Sequence, residues 1–133
     1  MKNAILAFTA MLYVHATHAW AGYPEAVAAA AKGDYVGAYE QFSHLADKGD
    51  TDALVNMSLL NGSCALNKRP ASHDDLICKA ANAGNVHGRF FAALSSLFAA
   101  PVCPTLKFAE DEFPAISLAS ATRGNVAAML WSA

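Results

Sequence analysis

The sequence predicts an all-α fold, a short right-handed solenoid of antiparallel helix pairs with about three units. The first observation that predicts this fold is a repeated turn pattern, in which glycine near the end of one helix is followed by Asp or Asn at the start of the next. Apolar residues between these turns recur at three- and four-residue spacing, which is typical of helices with one buried face. No segment beyond residue 21 shows the alternation of apolar and polar residues expected of a strand. The turn pattern occurs at 46–53, 81–88 and 121–128.

The turn pattern has a physical basis at each end. Glycine accepts the left-handed backbone that closes a helix, and an Asp or Asn side chain can accept hydrogen bonds from the first N–H groups of the next helix. Small residues three before and four after the glycine allow two helices to cross closely. Gly49, Gly84 and Gly124 are 35 and 40 residues apart, the range of two-helix repeat units.

The first 21 residues are predicted to be a secretory signal peptide. A short cationic start at 1–3 precedes an apolar run at 4–14, and 19–21 reads Ala-Trp-Ala, a cleavage signature. A spanning helix would need roughly 20 apolar residues, and this run is shorter. We therefore expect cleavage after Ala21, export to the bacterial periplasm or beyond, and no stable membrane insertion afterwards.

The remaining residues, 22–133, are assigned to one helical repeat domain. In the first unit, 22–49, proline in the first turn starts a short helix ending at Gly33, and Asp34 caps a second helix. In the second unit, 50–84, a helix over 52–60 leads through a long loop to a helix that begins after Ser72, in a sequence resembling a capping box.

The third unit, 85–124, begins with a helix over 86–99 that is apolar on nearly every side and is therefore expected to lie between neighbouring helices. A loop rich in proline then leads to a helix that starts near Pro114. The terminal half-unit, 125–133, can cover the last hydrophobic face, as solenoids require; the alternative is that the sequence is a fragment.

Short motifs in these units resemble the Sel-one-like repeats, a subclass of tetratricopeptide-type helical hairpins. Residues 79–84 read Lys-Ala-Ala-Asn-Ala-Gly and match the phrase that closes a unit of the family, while 53–58 and 88–93 match its first phrase loosely. The resemblance covers about residues 33–133. It implies an exported adaptor that binds proteins or peptides on the curved face of the stack. Because first helices line that face in the family, Asn56, His87 and Arg89 are predicted to contact the partner.

Three cysteines follow the predicted signal peptide, so an exported chain should contain one disulfide and one leftover thiol. Cys64 lies in the loop between two helices of one unit and Cys78 on the second of them, so the Cys64–Cys78 pairing is favoured. The rival pairing joins Cys64 to Cys103, which occupies the matching loop of the next unit. In the favoured case Cys103 keeps a thiol through which two chains can dimerise.

Composition and motifs favour binding over catalysis. The formal net charge is −2 without any basic block, and removal of Lys2 makes it more negative, which disfavours nucleic acid as a partner. No paired metal-ligand spacing and no catalytic fingerprint is present, so we predict no catalytic residues, no metal and no cofactor. The interpretation is a non-catalytic adaptor with a protein or peptide partner. The alternatives are a small secreted cysteine-dependent hydrolase and a secreted effector or structural protein.

Overall fold

The computed structural model describes residues 22–62, 66 and 71–132, so the predicted signal peptide and Cys64 lie outside the described part. The described residues form seven α-helices and one 3-10 turn, without a strand, which confirms the all-α prediction. The helices are α1 Tyr23–Ala31, α2 Tyr35–Asp47, α3 Thr51–Gly62, α4 His73–Asn82, α5 Val86–Leu97, α6 Phe113–Thr122 and α7 Val126–Ser132, with the 3-10 turn at Glu110–Glu112.

The three turns of the repeated pattern are all present, and so is the predicted turn at Gly33 and Asp34 between α1 and α2. The glycine of each turn has a positive φ, +103° at Gly49 and +83° at Gly84, for example, which non-glycine residues rarely adopt. The following residue then caps the next helix. In the turn between α1 and α2, Gly33 has a φ of +84° and Asp34 Oδ1 accepts a hydrogen bond of 2.9 Å from the backbone N–H of Gly37.

Each helix packs against the next one along the chain, and α3 also contacts α5. The crossing of α4 and α5 depends on small residues, as the turn pattern predicts. A Cβ atom added to Gly88 would lie 2.7 Å from the backbone nitrogen of Ala81 and 2.8 Å from the Cβ of Ala80. Glycine at position 88 therefore allows the two backbones to approach more closely than any other residue would.

The apolar side chains form two clusters of unequal size. The larger cluster involves α1 to α5, and its fully buried members include Phe42, Leu60 and Ile77. The smaller one is centred on Phe90 of α5, whose ring lies 6.1 Å from that of Phe113 at the start of α6. The end of α5 corrects one expectation, because its last residue Leu97 is 45 % exposed and is not enclosed by neighbours.

The disulfide in the structure joins Cys78 of α4 to Cys103 in the loop after α5, with an S–S distance of 2.05 Å. The predicted Cys64–Cys78 pairing is therefore wrong, because the Cys78 sulfur is already bonded to Cys103 and can form only one disulfide. The physical reason is the course of the loop, whose side chains Val102 and Leu106 pack against the larger cluster and bring Cys103 onto α4. The predicted dimer through Cys103 is corrected with it, because the Cys103 sulfur is already bonded within the chain.

Candidate functional site

Successive turns are connected by buried side chains that cap one helix and bind the preceding unit. The Oδ1 atom of Asn85 accepts hydrogen bonds from the backbone N–H groups of His87 (3.0 Å) and Gly88 (2.9 Å), which caps α5. Its Nδ2 atom donates to Asp52 Oδ1 (2.6 Å) and Thr51 Oγ1 (3.0 Å) at the start of α3. One side chain therefore caps the start of α5 and joins it to the start of α3.

At the next turn the capping residue and the preceding first helix are joined through a serine. His87 Nδ1 lies 2.9 Å from Ser120 Oγ, and Asn125 Nδ2 donates to the same hydroxyl at 3.0 Å. Asn125 Oδ1 accepts from the backbone N–H of Ala128 and so caps α7. His87 follows its capping residue by two positions, as Asp52 follows Asp50. Asp50 Oδ1 in turn accepts hydrogen bonds from the backbone N–H groups of Asp52 (3.0 Å) and Ala53 (3.2 Å) and so caps α3. We call the six side chains that cap these helices or link them the polar ladder: Asp50, Asp52, Asn85, His87, Ser120 and Asn125.

The polar ladder is buried, since none of its six side chains is more than 9 % exposed. Three long-range side-chain hydrogen bonds have the same separation along the chain. The hydrogen bonds of Asn85 with Asp52 and of His87 with Ser120 each span 33 positions, and so does the one from Asn56 to Tyr23. Buried polar groups need partners to offset their lost hydration, so the ladder holds consecutive units in one register.

A pocket of about 190 Å³ opens beside the first contacts of the polar ladder, and we call it the turn pocket. Its walls come from the turns at 49–52 and 83–86, and Arg123 from the third turn completes the lining. Water takes roughly 30 Å³ in the liquid, so the space can hold several waters or one side chain. Carboxylate, amide and guanidinium groups line it together, a combination suited to hydrogen bonding a polar segment of another chain.

Two of the three predicted partner contacts are buried. Asn56 is 1 % exposed and donates a hydrogen bond of 2.5 Å to the Tyr23 hydroxyl, and His87 is 2 % exposed within the polar ladder. Burial raises the pKa of Tyr23 above its ordinary value, and the nearby Asp52 carboxylate adds to the effect, so the phenol stays neutral at physiological pH. Asn56 and His87 hold helices together, which corrects their assignment to the partner surface.

Arg89, the third predicted contact, is half-buried and lies over an aromatic ring. Its guanidinium carbon is 5.5 Å from the ring centre of Phe108, in the loop that carries the disulfide. This is a cation–π contact, which explains an arginine on a largely apolar helix without a partner protein.

The turn-pocket residues Asp52 and Arg123 were not predicted from the sequence as contacts for a partner. A signal for Arg123 existed, because it lies directly before the glycine of the third turn pattern.

One contact resembles a nucleophile and its base. Ser58 Oγ lies 2.6 Å from His73 Nδ1, between α3 and the first residue of α4. Ser58 is fully buried, however, so a substrate cannot reach its hydroxyl, and the contact joins the two helices. The disulfide likewise means that Cys78 and Cys103 have no thiolate to offer as a nucleophile.

The described part of the chain contains neither a cluster of metal ligands nor a membrane-spanning helix. Within residues 22–62, 66 and 71–132, no three side chains of His, Cys, Asp or Glu are grouped as a metal ion would need. In the same ranges no helix combines the length and apolarity needed to cross a bilayer. No protein-family model matches the chain, and comparisons with curated proteins and with solved structures find no match either.

Proposed function

We propose that this protein is an exported, non-catalytic adaptor that binds a protein or peptide segment, built as a short right-handed solenoid of Sel-one-like repeats. The observation that carries the proposal is the turn pocket, where the turns of three consecutive units meet. The polar ladder supports the repeat assignment because Asp52 and His87, which both lie two positions after a helix cap, each bind the side chain 33 positions further along the chain. A repeat array presents such a surface on a rigid support, which lowers the entropy lost when a flexible segment binds.

Export to the periplasm or beyond is supported by two independent features. One is the predicted signal peptide, and the other is the disulfide between Cys78 and Cys103, since disulfides persist in oxidising compartments. The test is the intact mass of the protein recovered after export. We expect a chain that begins at Gly22, and a chain that retains Met1 would contradict cleavage.

The partner contact is proposed to use Arg123, the charged side chain that lines the turn pocket and is itself exposed. Its planar guanidinium can form two parallel hydrogen bonds with a carboxylate of the bound segment. A hydrogen bond to a charged group contributes about 1.5 to 3 kcal/mol, so loss of this contact should weaken binding by roughly tenfold or more.

Selection from a displayed library of random peptides tests the proposal without a known partner. The Kd of each recovered peptide is measured by calorimetry for the wild type, for Arg123→Ala and for Lys32→Ala. Lys32 is an exposed control that follows α1 and does not line the pocket. We expect weaker binding only for Arg123→Ala, at unchanged helicity. Equal affinity of all three proteins would refute the site, and failure to recover any peptide would refute the binding function.

A further inference from the structure

The disulfide fastens a loop that few hydrogen bonds hold in place. We call residues 101–108, which follow α5, the disulfide loop. In the part of the chain that the structure describes, one hydrogen bond joins the backbone of this loop to a helix, the bond of 3.1 Å from the Val102 N–H to Ser95 Oγ. The covalent bond between Cys78 and Cys103 is therefore a main attachment of the loop to α4.

Side chains of the disulfide loop cover part of the larger cluster. Val102, Leu106 and Phe108 pack against buried residues of that cluster and remain partly exposed themselves. Phe108 also carries the cation–π contact with Arg89. A segment whose backbone makes few hydrogen bonds opens at a lower free energy than packed helices do. Cleavage of the disulfide should therefore release this loop before it disturbs the packing between the helices.

The two sulfur atoms of the disulfide differ in their access to solvent. Cys78 on α4 is partly exposed, whereas Cys103 is 1 % exposed. A disulfide is cleaved when a thiolate attacks one sulfur and expels the other as a thiolate. A thiolate from solution can therefore reach Cys78, and Cys103 is the sulfur that leaves.

Two hydrogen-bond donors beside the disulfide favour this direction of cleavage. The Thr105 hydroxyl lies 3.3 Å from Cys103 Sγ and 3.7 Å from Cys78 Sγ, and it is the donor because a disulfide sulfur carries no hydrogen. Asn82 Nδ2 donates to Cys78 Sγ at 3.3 Å and to Cys103 Sγ at 3.6 Å. Donors of this kind stabilise the negative charge that develops on a departing sulfur, so a buried Cys103 thiolate can form.

We propose that the Cys78–Cys103 disulfide is a redox switch, which a dithiol reductant opens by attack at Cys78. The first thiolate of the reductant bonds to Cys78 Sγ while the bond to Cys103 breaks, and Cys103 leaves as a thiolate that takes up a proton. The second thiolate of the reductant then attacks the reductant's own sulfur in this mixed disulfide. Cys78 is thereby freed as a thiol, and the reductant becomes a disulfide.

The consequence of reduction is a local opening. The disulfide loop separates from α4 and uncovers the apolar surface beneath Val102, Leu106 and Phe108. The helices remain packed, since each contacts the next one along the chain without help from the loop. The switch is separate from the turn pocket, so its failure would leave the proposed binding function untouched.

The direction of attack is tested with glutathione, a monothiol whose mixed disulfide can be trapped. The protein carries Cys64→Ser, so Cys78 and Cys103 are the cysteines that remain. Brief incubation without denaturant is stopped with acid, and peptide mapping locates the adduct. We expect the adduct on Cys78 and a free thiol at Cys103, in an excess of roughly ten to one. An adduct mainly on Cys103, or reduction only after unfolding in urea, would overturn the proposal.

The help given to the leaving sulfur is tested by Thr105→Val, which removes the hydroxyl and keeps the shape of the side chain. We expect the rate of reduction by dithiothreitol to fall roughly threefold or more, because the Cys103 thiolate loses a donor. Thr122→Val is the matched control, since Thr122 is exposed on α6 and its hydroxyl bonds to the carbonyl of Ala119. Equal rates for both variants would refute the role of Thr105. Circular dichroism checks that both keep their helices.

Release of the loop is tested by amide hydrogen exchange of the oxidised protein and of the protein held reduced in dithiothreitol. The N–H groups of Val102 and Leu106 should exchange roughly tenfold faster after reduction, while those of α2 keep their protection. Unchanged exchange in the disulfide loop would overturn the switch. Loss of protection in α2 as well would show that the bond supports the whole fold, and would overturn it too.

Discussion

Asn85 offers the sharpest test of the polar ladder, because one side chain does two separable things. It caps α5 through its oxygen, and it binds α3 through its nitrogen, which donates to Asp52 and Thr51. Asp34 is the natural comparison. It caps α2 with one hydrogen bond, to the N–H of Gly37, and it is exposed. The difference between Asn85→Ala and Asp34→Ala therefore measures the link between units.

The expected magnitudes follow from these contacts. Loss of a helix cap costs about 1 kcal/mol, which is the whole effect expected for Asp34→Ala. Asn85→Ala also removes a hydrogen bond to the Asp52 carboxylate, which costs about 1.5 to 3 kcal/mol at a site where both side chains are less than a tenth exposed. We therefore expect Asn85→Ala to lower the free energy of unfolding by about 3 kcal/mol in total. For a domain of this size the Tm should fall by roughly 10 °C.

Urea unfolding of the wild type and both variants, followed by circular dichroism, measures the difference. A double-mutant cycle with Asp52→Ala then isolates the Asn85–Asp52 interaction, which we expect to couple by about 1 to 2 kcal/mol. Equal losses for Asn85→Ala and Asp34→Ala, or no coupling in the cycle, would refute the claim that the polar ladder joins the units.

Three further predictions concern the crossing of α4 and α5, alkaline pH and the disulfide. In urea unfolding, Gly88→Ala should cost about 1 to 3 kcal/mol by overpacking. Gly37→Ala should be nearly neutral, since it displaces the Asp34 cap, a loss of about 1 kcal/mol, but gains about as much in helix propensity. The raised pKa of Tyr23 stabilises the fold below pH 10, so the free energy of unfolding should fall above pH 10, and less steeply in Tyr23→Phe. Non-reducing peptide mapping should link Cys78 to Cys103, and reduction should cost about 3 kcal/mol because the bond closes a loop of 25 residues.

Sequence reasoning succeeded where the determining interactions are local. The turns at Gly49, Gly84 and Gly124 depend on one backbone angle and on hydrogen bonds that reach two or three residues ahead, so residue type alone indicates them. The small residue at position 88 was predictable for the same reason, because it holds a fixed place in the turn pattern. The bounds of most helices follow from these turns.

The interpretation failed where the partner lies far along the chain. Asn56 and His87 are polar residues on first helices of the predicted units, and their sequence surroundings do not show that Tyr23 and Ser120, each 33 positions away, enclose them. Their burial is a property of packed helices. The turn pocket likewise exists only where three separate turns come together.

The disulfide shows the same division between the sequence and the tertiary structure. Cysteine content and the predicted signal peptide determined that one bond should form in an exported chain. The choice of partners depended on how the loop after α5 folds back over α4, which apolar contacts of Val102 and Leu106 with the larger cluster decide. Helix ends can be predicted from short segments because capping involves neighbouring residues. The burial of side chains and the pairing of cysteines depend on surfaces that only the folded chain brings into contact.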